Sequence, residues 1–181
     1  LSESAKPVPE QDPDVNVARP KFHRQAGYLL FFADRDEIAS GEVKTSSLVD
    51  WRSHTVRRIV HSTFAGEIMA ACEGLGAALY CRAVTLECLH GKEAVLGEDP
   101  ELRKLLPILG VTDCKSVYDT VHRDGVLKLP TEKRLGLDVA ALKDMIHKEI
   151  AETDPTALHA VPLRWVPTEH MLADCLTKAM D

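Results

Sequence analysis

An α/β domain with both antiparallel and parallel strands is the fold class this sequence predicts. Three observations carry that expectation. Short apolar runs suited to strands are interspersed with longer stretches of helical periodicity. The first two strand-like runs follow each other directly, which favours an antiparallel hairpin. The full order reads strand, strand, helix, strand, helix, helix, strand, helix, an α/β layout. With 181 residues the chain is sized for one domain. Its 45% hydrophobic content is enough for a core, and with aromatics at only 5% that core should be mostly Leu, Val, Ile and Ala.

Each element has its own signal. Residues 1–21 read as a tail or linker, because Pro7, Pro9, Pro13 and Pro20 are spread among polar residues and proline is excluded from central strands. The domain proper is expected over residues 22–181. Gly27-Tyr28-Leu29-Leu30-Phe31-Phe32 reads as the first strand, Asp34-Arg35-Asp36 as a turn, and residues 41–51 as the second strand. Ser62-Thr63 is an N-cap signal. The helix it opens carries Ile68, Ala71, Cys72, Leu75, Ala78 and Leu79 in one stripe, with Glu67 at the stripe's edge.

Leu105 to Thr112 reads as a strand with Asp113 just past its end, and Ser116, Val117, Tyr118 and Val121 begin a helix. Lys128 to Arg134 reads as a basic, proline-marked loop. A longer amphipathic helix follows through Leu137, Val139, Ala140, Leu142, Met145, Ile146 and Ile150. Asp138 is read as a charge in its first turn. A strand over residues 161–166 and a final helix containing Asp174 close the chain. The chain opens on Leu1, so it is read as a piece of a longer or processed product.

Charge and cysteine content narrow the function classes. A net charge of −6 argues against a strong non-specific nucleic-acid binder, though not against an enzyme whose basic partner domains supply affinity. The five cysteines are odd in number and form no CxxC pair, so a disulfide framework or zinc site is not expected and a reducing interior is. No apolar run approaches the roughly 20 residues that span a bilayer.

Three carboxylates sit where chemistry is often found. Asp113 lies at the carboxyl end of a strand, where open α/β sheets bind ligands. Glu67 lies one turn into a helix, at the rim of its buried face. Asp174 lies in the helix after the last strand. Gathered together, such groups stay ionised only if a cation compensates them. Hard oxygen donors suit Mg²⁺ or Mn²⁺, and two such ions about 4 Å apart can drive phosphodiester hydrolysis. Each residue also has a plainer role: Asp113 as a turn or cap, Glu67 as a charge favourable to the helix dipole, Asp174 as a solvated helix residue.

The local wording points further. The run Trp51-Arg52-Ser53-His54, followed by Val60-His61-Ser62-Thr63-Phe64-Ala65-Gly66-Glu67-Ile68-Met69-Ala70, resembles the ribonuclease H domain of copia-type retrotransposon polyproteins. Val111-Thr112-Asp113-Cys114-Lys115-Ser116 resembles that family's strand-end Asp and its polar followers. Gln25-Ala26-Gly27-Tyr28 resembles its second-strand entry. The most specific match is Trp165-Val166-Pro167-Thr168-Glu169-His170-Met171-Leu172-Ala173-Asp174-Cys175-Leu176-Thr177-Lys178, similar to the family's closing segment almost position by position.

The resemblance covers about residues 25–180. It implies a ribonuclease-H-like mixed sheet flanked by helices, with Glu67, Asp113 and Asp174 as three of four metal-binding catalytic carboxylates. It implies two Mg²⁺ or Mn²⁺ ions and hydrolysis of the RNA strand of RNA–DNA hybrids, read through shape, phosphates and the 2′-OH. The implied setting is intracellular (cytoplasm, virus-like particle or nucleus), beside an upstream reverse transcriptase of the same polyprotein. Ser62, Lys115 and Ser116 become candidate substrate contacts, against the plainer reading that they cap or start helices. Arg52, Arg57 and Arg58 are read either as facing the hybrid or as a solvated charged face, and His170 either as a proton-transfer aid or as a surface residue.

Two departures matter. The family's first catalytic Asp lies on an opening strand, upstream of the Gly-Tyr pair. Here Asp12 and Asp14 stand at roughly that distance, among prolines that suit a central strand badly. The expectation is that this first strand and its Asp are missing or degraded; the alternative is that Asp12 or Asp14 stands in. The His-rich run of many members is also replaced, by Leu135-Gly136-Leu137-Asp138. A catalytically inactive remnant serving as a structural or nucleic-acid-binding module is therefore the rival reading. A DNA-directed metal-dependent nuclease on the same fold is a third.

Overall fold

The computed structural model describes residues 25–40, 45–56, 62–91, 100–123, 133–152 and 162–177. The chain runs β1 (Gln25–Ala33), α1 (Arg35–Ser40), β2 (Ser46–Thr55), α2 (Thr63–His90), α3 (Pro100–Leu105), β3 (Gly110–Thr112), α4 (Lys115–His122), α5 (Lys133–Glu152), β4 (Leu163–Trp165) and α6 (Asp174–Thr177), with a 3-10 turn at Thr168–His170. It is a mixed α/β architecture. Among the described residues the strands form two separate pairs: β1 and β2 antiparallel, β3 and β4 parallel.

The hairpin is where the sequence put it, with Leu29 opposite Trp51 and a register shift between Leu30 and Phe31. Its details differ. The expected turn at residues 34–36 opens the short helix α1, because the Asp34 carboxylate caps the amides of Asp36 (2.8 Å) and Glu37 (3.2 Å). β2 begins at Ser46 and continues past Trp51 to Thr55.

The expected strand over residues 105–112 is reduced to Gly110–Thr112. Leu105 instead ends α3, which begins on Pro100, has Glu101 in its first turn and Arg103 and Lys104 in its last, and so matches the helix dipole. α5 starts at Lys133, inside the expected loop, which moves Asp138 beyond the first turn. Its buried face is Leu135, Val139, Leu142 and Ile146, at helical spacing, while Leu137 is 70% exposed. The closing helix is broken into the 3-10 turn and the four-residue α6, because Met171 between them is extended. The tail, Asp12, Asp14, Arg57, Arg58 and residues 128–132 of the basic loop lie outside the described residues.

The two strand pairs share one core. Ala26 and Val56 enter it from the hairpin and Leu163 from β4. They meet Ala65 and Ile68 of α2, Val117 and Val121 of α4, and the buried face of α5. α2 and α5 are also joined by a charge pair inside the protein. Arg82 donates to both carboxylate oxygens of Glu149, each at 2.7 Å, and both residues are 5% exposed.

The hairpin is sandwiched. Gly74 of α2 lies against the Tyr28 side chain, whereas a Cβ on neighbouring Gly27 would meet Leu176 Cβ at 3.1 Å and Thr177 Cγ2 at 3.2 Å. Adjacent strand residues face opposite ways, so α2 covers one side of the hairpin and α6 the other. A Cβ at Gly27 would also stand 2.9 Å from the Arg52 carbonyl oxygen, which is backbone and cannot swing away. Gly27→Ala is expected to destabilise the fold by about 1–3 kcal/mol and to loosen α6. Chemical denaturation, with hydrogen exchange of the 174–177 amides, checks both effects.

Candidate functional site

Glu67 is set by the start of α2. Ser62 caps that helix, its Oγ accepting from the Ala65 amide at 3.1 Å. Ala65, Gly66 and Ile68 are buried, so the helix beginning is pinned to the core and Glu67 sits partly buried beside it. The capping role read for Ser62 is thus realised.

Asp113 is set by the parallel pair. The Thr112 carbonyl accepts from the Val166 amide at 2.9 Å, and the Asp113 carbonyl accepts from the Trp165 indole N–H at 2.9 Å. Trp165 is 43% exposed and holds the strand end in place from the rim. Lys115 Nζ stands 5.9 Å from the centre of the Trp165 ring, a cation–π contact that keeps it at this end of the sheet. Lys115 and Ser116 are both exposed in the first turn of α4, and the Ser116 hydroxyl lies 3.2 Å from Cys114 Sγ. Cys114 occupies the N-cap without a side-chain cap bond.

Asp174 is the first residue of α6 and is partly buried. Its amide donates to the Met171 carbonyl at 3.1 Å, and its carbonyl accepts from the Thr177 hydroxyl at 3.3 Å. The Ser53 hydroxyl donates to the Leu176 carbonyl at 2.6 Å and ties α6 to the hairpin. Because β3 and β4 run parallel, Asp113 and the segment leading to Asp174 leave the sheet at the same, carboxyl, edge. Glu67 and Asp174 each make further polar interactions. Among the described residues, no three His, Cys, Asp or Glu side chains stand close enough together to hold a metal ion.

A feature that the sequence reading did not single out is a groove of about 620 Å³ between the hairpin and the second half of α2. Leu30, Phe32, Val49 and Val84 give it apolar walls. At its polar end the Tyr28 hydroxyl donates to Asp50 Oδ2 at 2.9 Å, and Glu73 Oε2 lies 3.3 Å from His54 Nε2 and 4.0 Å from Arg52 Nη1. Burial and the Asp50 hydrogen bond raise the Tyr28 pKa. Nearby, burial pushes the Cys72 thiol up to about 11, so it stays protonated and is no nucleophile at neutral pH. The alternation Tyr28, Leu30, Phe32 was visible in the sequence, but the register that sets Asp50 and Arg52 beside it was not.

No protein-family model, curated protein or solved structure matches the chain.

Proposed function

We propose that this chain is the ribonuclease H domain of a copia-type retroelement and cleaves the RNA strand of RNA–DNA hybrids beside an upstream reverse transcriptase. The observation that carries the reading is the position of Asp113. It leaves the carboxyl end of β3, and the chain leaving the neighbouring parallel strand β4 runs on to Asp174. The closing run from Trp165 to Lys178, which resembles that family's, supports the same reading. The finer fold that goes with it is a ribonuclease-H-like sheet whose first strand is not among the described elements. The setting it implies is intracellular, and no described helix is long and apolar enough to cross a membrane.

Glu67, Asp113 and Asp174 carry the hard oxygen donors that Mg²⁺ or Mn²⁺ would take. The described residues do not by themselves bring three such groups together. On this reading Asp12, Asp14 or an Asp on an upstream strand completes the set. The exposed Lys115 and Ser116 at the start of α4 offer donors to a phosphate, and Trp165 holds Lys115 at the same edge as Asp113. Specific observations favour a second reading, an inactive module that still binds the hybrid. They are the prolines around Asp12 and Asp14 and, among the described residues, the two separate strand pairs.

The test is cleavage of a labelled RNA–DNA hybrid in Mg²⁺ or Mn²⁺. The expected result is metal-dependent RNA cleavage that Asp113→Asn abolishes; loss in Asp12→Asn or Asp14→Asn as well would identify that residue as the one that completes the set. Hybrid binding without cleavage by folded protein would replace the enzyme with the module. Cleavage of duplex DNA in preference to the hybrid would overturn both.

A further inference from the structure

Among the described residues no strand lies along the outer edge of β2. Within that set β2 pairs only with β1, and every residue from Ser46 to Arg52 is exposed. The exposed residues include Leu48 (54%), Val49 (40%) and Trp51 (60%). Such an edge is a template for one more strand. The Trp51 amide donates to the adjacent Asp50 carboxylate at 2.8 Å, as suits an amide that points away from β1. Backbone groups along an antiparallel strand turn alternately towards and away from a given neighbour. Trp51 therefore belongs to the set of residues whose backbone groups face outward, and an added strand would take its amide over from the Asp50 carboxylate.

The charges on this edge are self-complementary. Asp50 and Arg52 flank Trp51 and, being two residues apart, point to the same face. We infer that a second copy of this chain docks here, its β2 antiparallel to the first about a twofold axis through Trp51. In that register Trp51 meets its counterpart, and Asp50 of each copy faces Arg52 of the other, giving two identical ion pairs from one operation. Moving the axis to Asp50 would set carboxylate against carboxylate, and moving it to Arg52 would set guanidinium against guanidinium, so charge selects the middle register. The two hairpins then become one four-stranded sheet, and the exposed Trp51 and Leu48 gain neighbours across the seam.

Sedimentation velocity of the full chain across a concentration series tests this. The wild-type protein is expected to show a monomer–dimer equilibrium. Asp50→Arg sets Arg against Arg at both pairs and is expected to weaken dimerisation about tenfold or more. The charge-swapped double variant, Asp50→Arg with Arg52→Asp, is expected to restore it. If circular dichroism shows that Asp50→Arg misfolds for want of the Tyr28 hydrogen bond, Arg52→Glu creates the opposite like-charge clash and is read in its place. Wild-type protein that sediments as a monomer throughout, a dimer indifferent to either single substitution, or a folded double variant that stays monomeric would overturn the inference.

Discussion

Glu149→Ala is expected to destabilise the protein by about 3–5 kcal/mol, the range for removing one partner of a buried ion pair. Arg82 is 5% exposed and gives two 2.7 Å hydrogen bonds to Glu149. Without the carboxylate, a guanidinium on α2 is left desolvated against α5, stripped of the partner that receives it among the described residues. The loss measures the stranded charge rather than the worth of the pair. Replacing both, Arg82→Met with Glu149→Leu, is therefore expected to recover most of the stability. Urea denaturation of the two single variants and the double variant gives the comparison. A double variant as weak as the singles would contradict this account.

Ile68→Ala is expected to cost about 2–5 kcal/mol. Ile68 is 0% exposed and lies where α2 meets the rest of the shared core. The cost combines lost burial with the cavity left behind, because a core joining two strand pairs and three helices cannot close around a missing side chain from one side. The same change reaches the proposed chemistry. Ile68 follows Glu67 directly and anchors the turn that carries it, so hybrid cleavage is expected to fall along with the denaturation midpoint. Unchanged stability would mean that the core is not shared in this way.

The candidate site was legible in the sequence one residue at a time. Ser62 as a cap, Glu67 at the rim of a buried face and Asp113 past a strand end are local facts, set by hydrogen bonds and periodicity within a few residues, and they recur in the structure. The shortened third strand was legible in principle as well, because Pro107 and the dipole-matched residues 100–105 argue against a strand through Leu105. The early start of α5 was harder to see. Lys133 and Arg134 are exposed, and only Leu135 packing against the core shows that the helix already runs there.

By itself the sequence determined the class of the fold, the hairpin, the position of α2 and the identity of the carboxylates worth testing. These follow from side-chain periodicity, turn chemistry and capping, all short-range. Only the tertiary structure decided that β3 and β4 pair in parallel, among the described residues as a set apart from β1 and β2. It alone decided that α6 is a single turn clamped at Gly27 and Ser53, and that Arg82 finds Glu149 across 67 positions of chain. Among the described residues it also left the outer edge of β2 without a further strand, with Asp50 and Arg52 around an exposed Trp51. Strand partners and buried charge pairs depend on which distant surfaces meet, and that choice is made by the packing of the whole core rather than by any window of sequence.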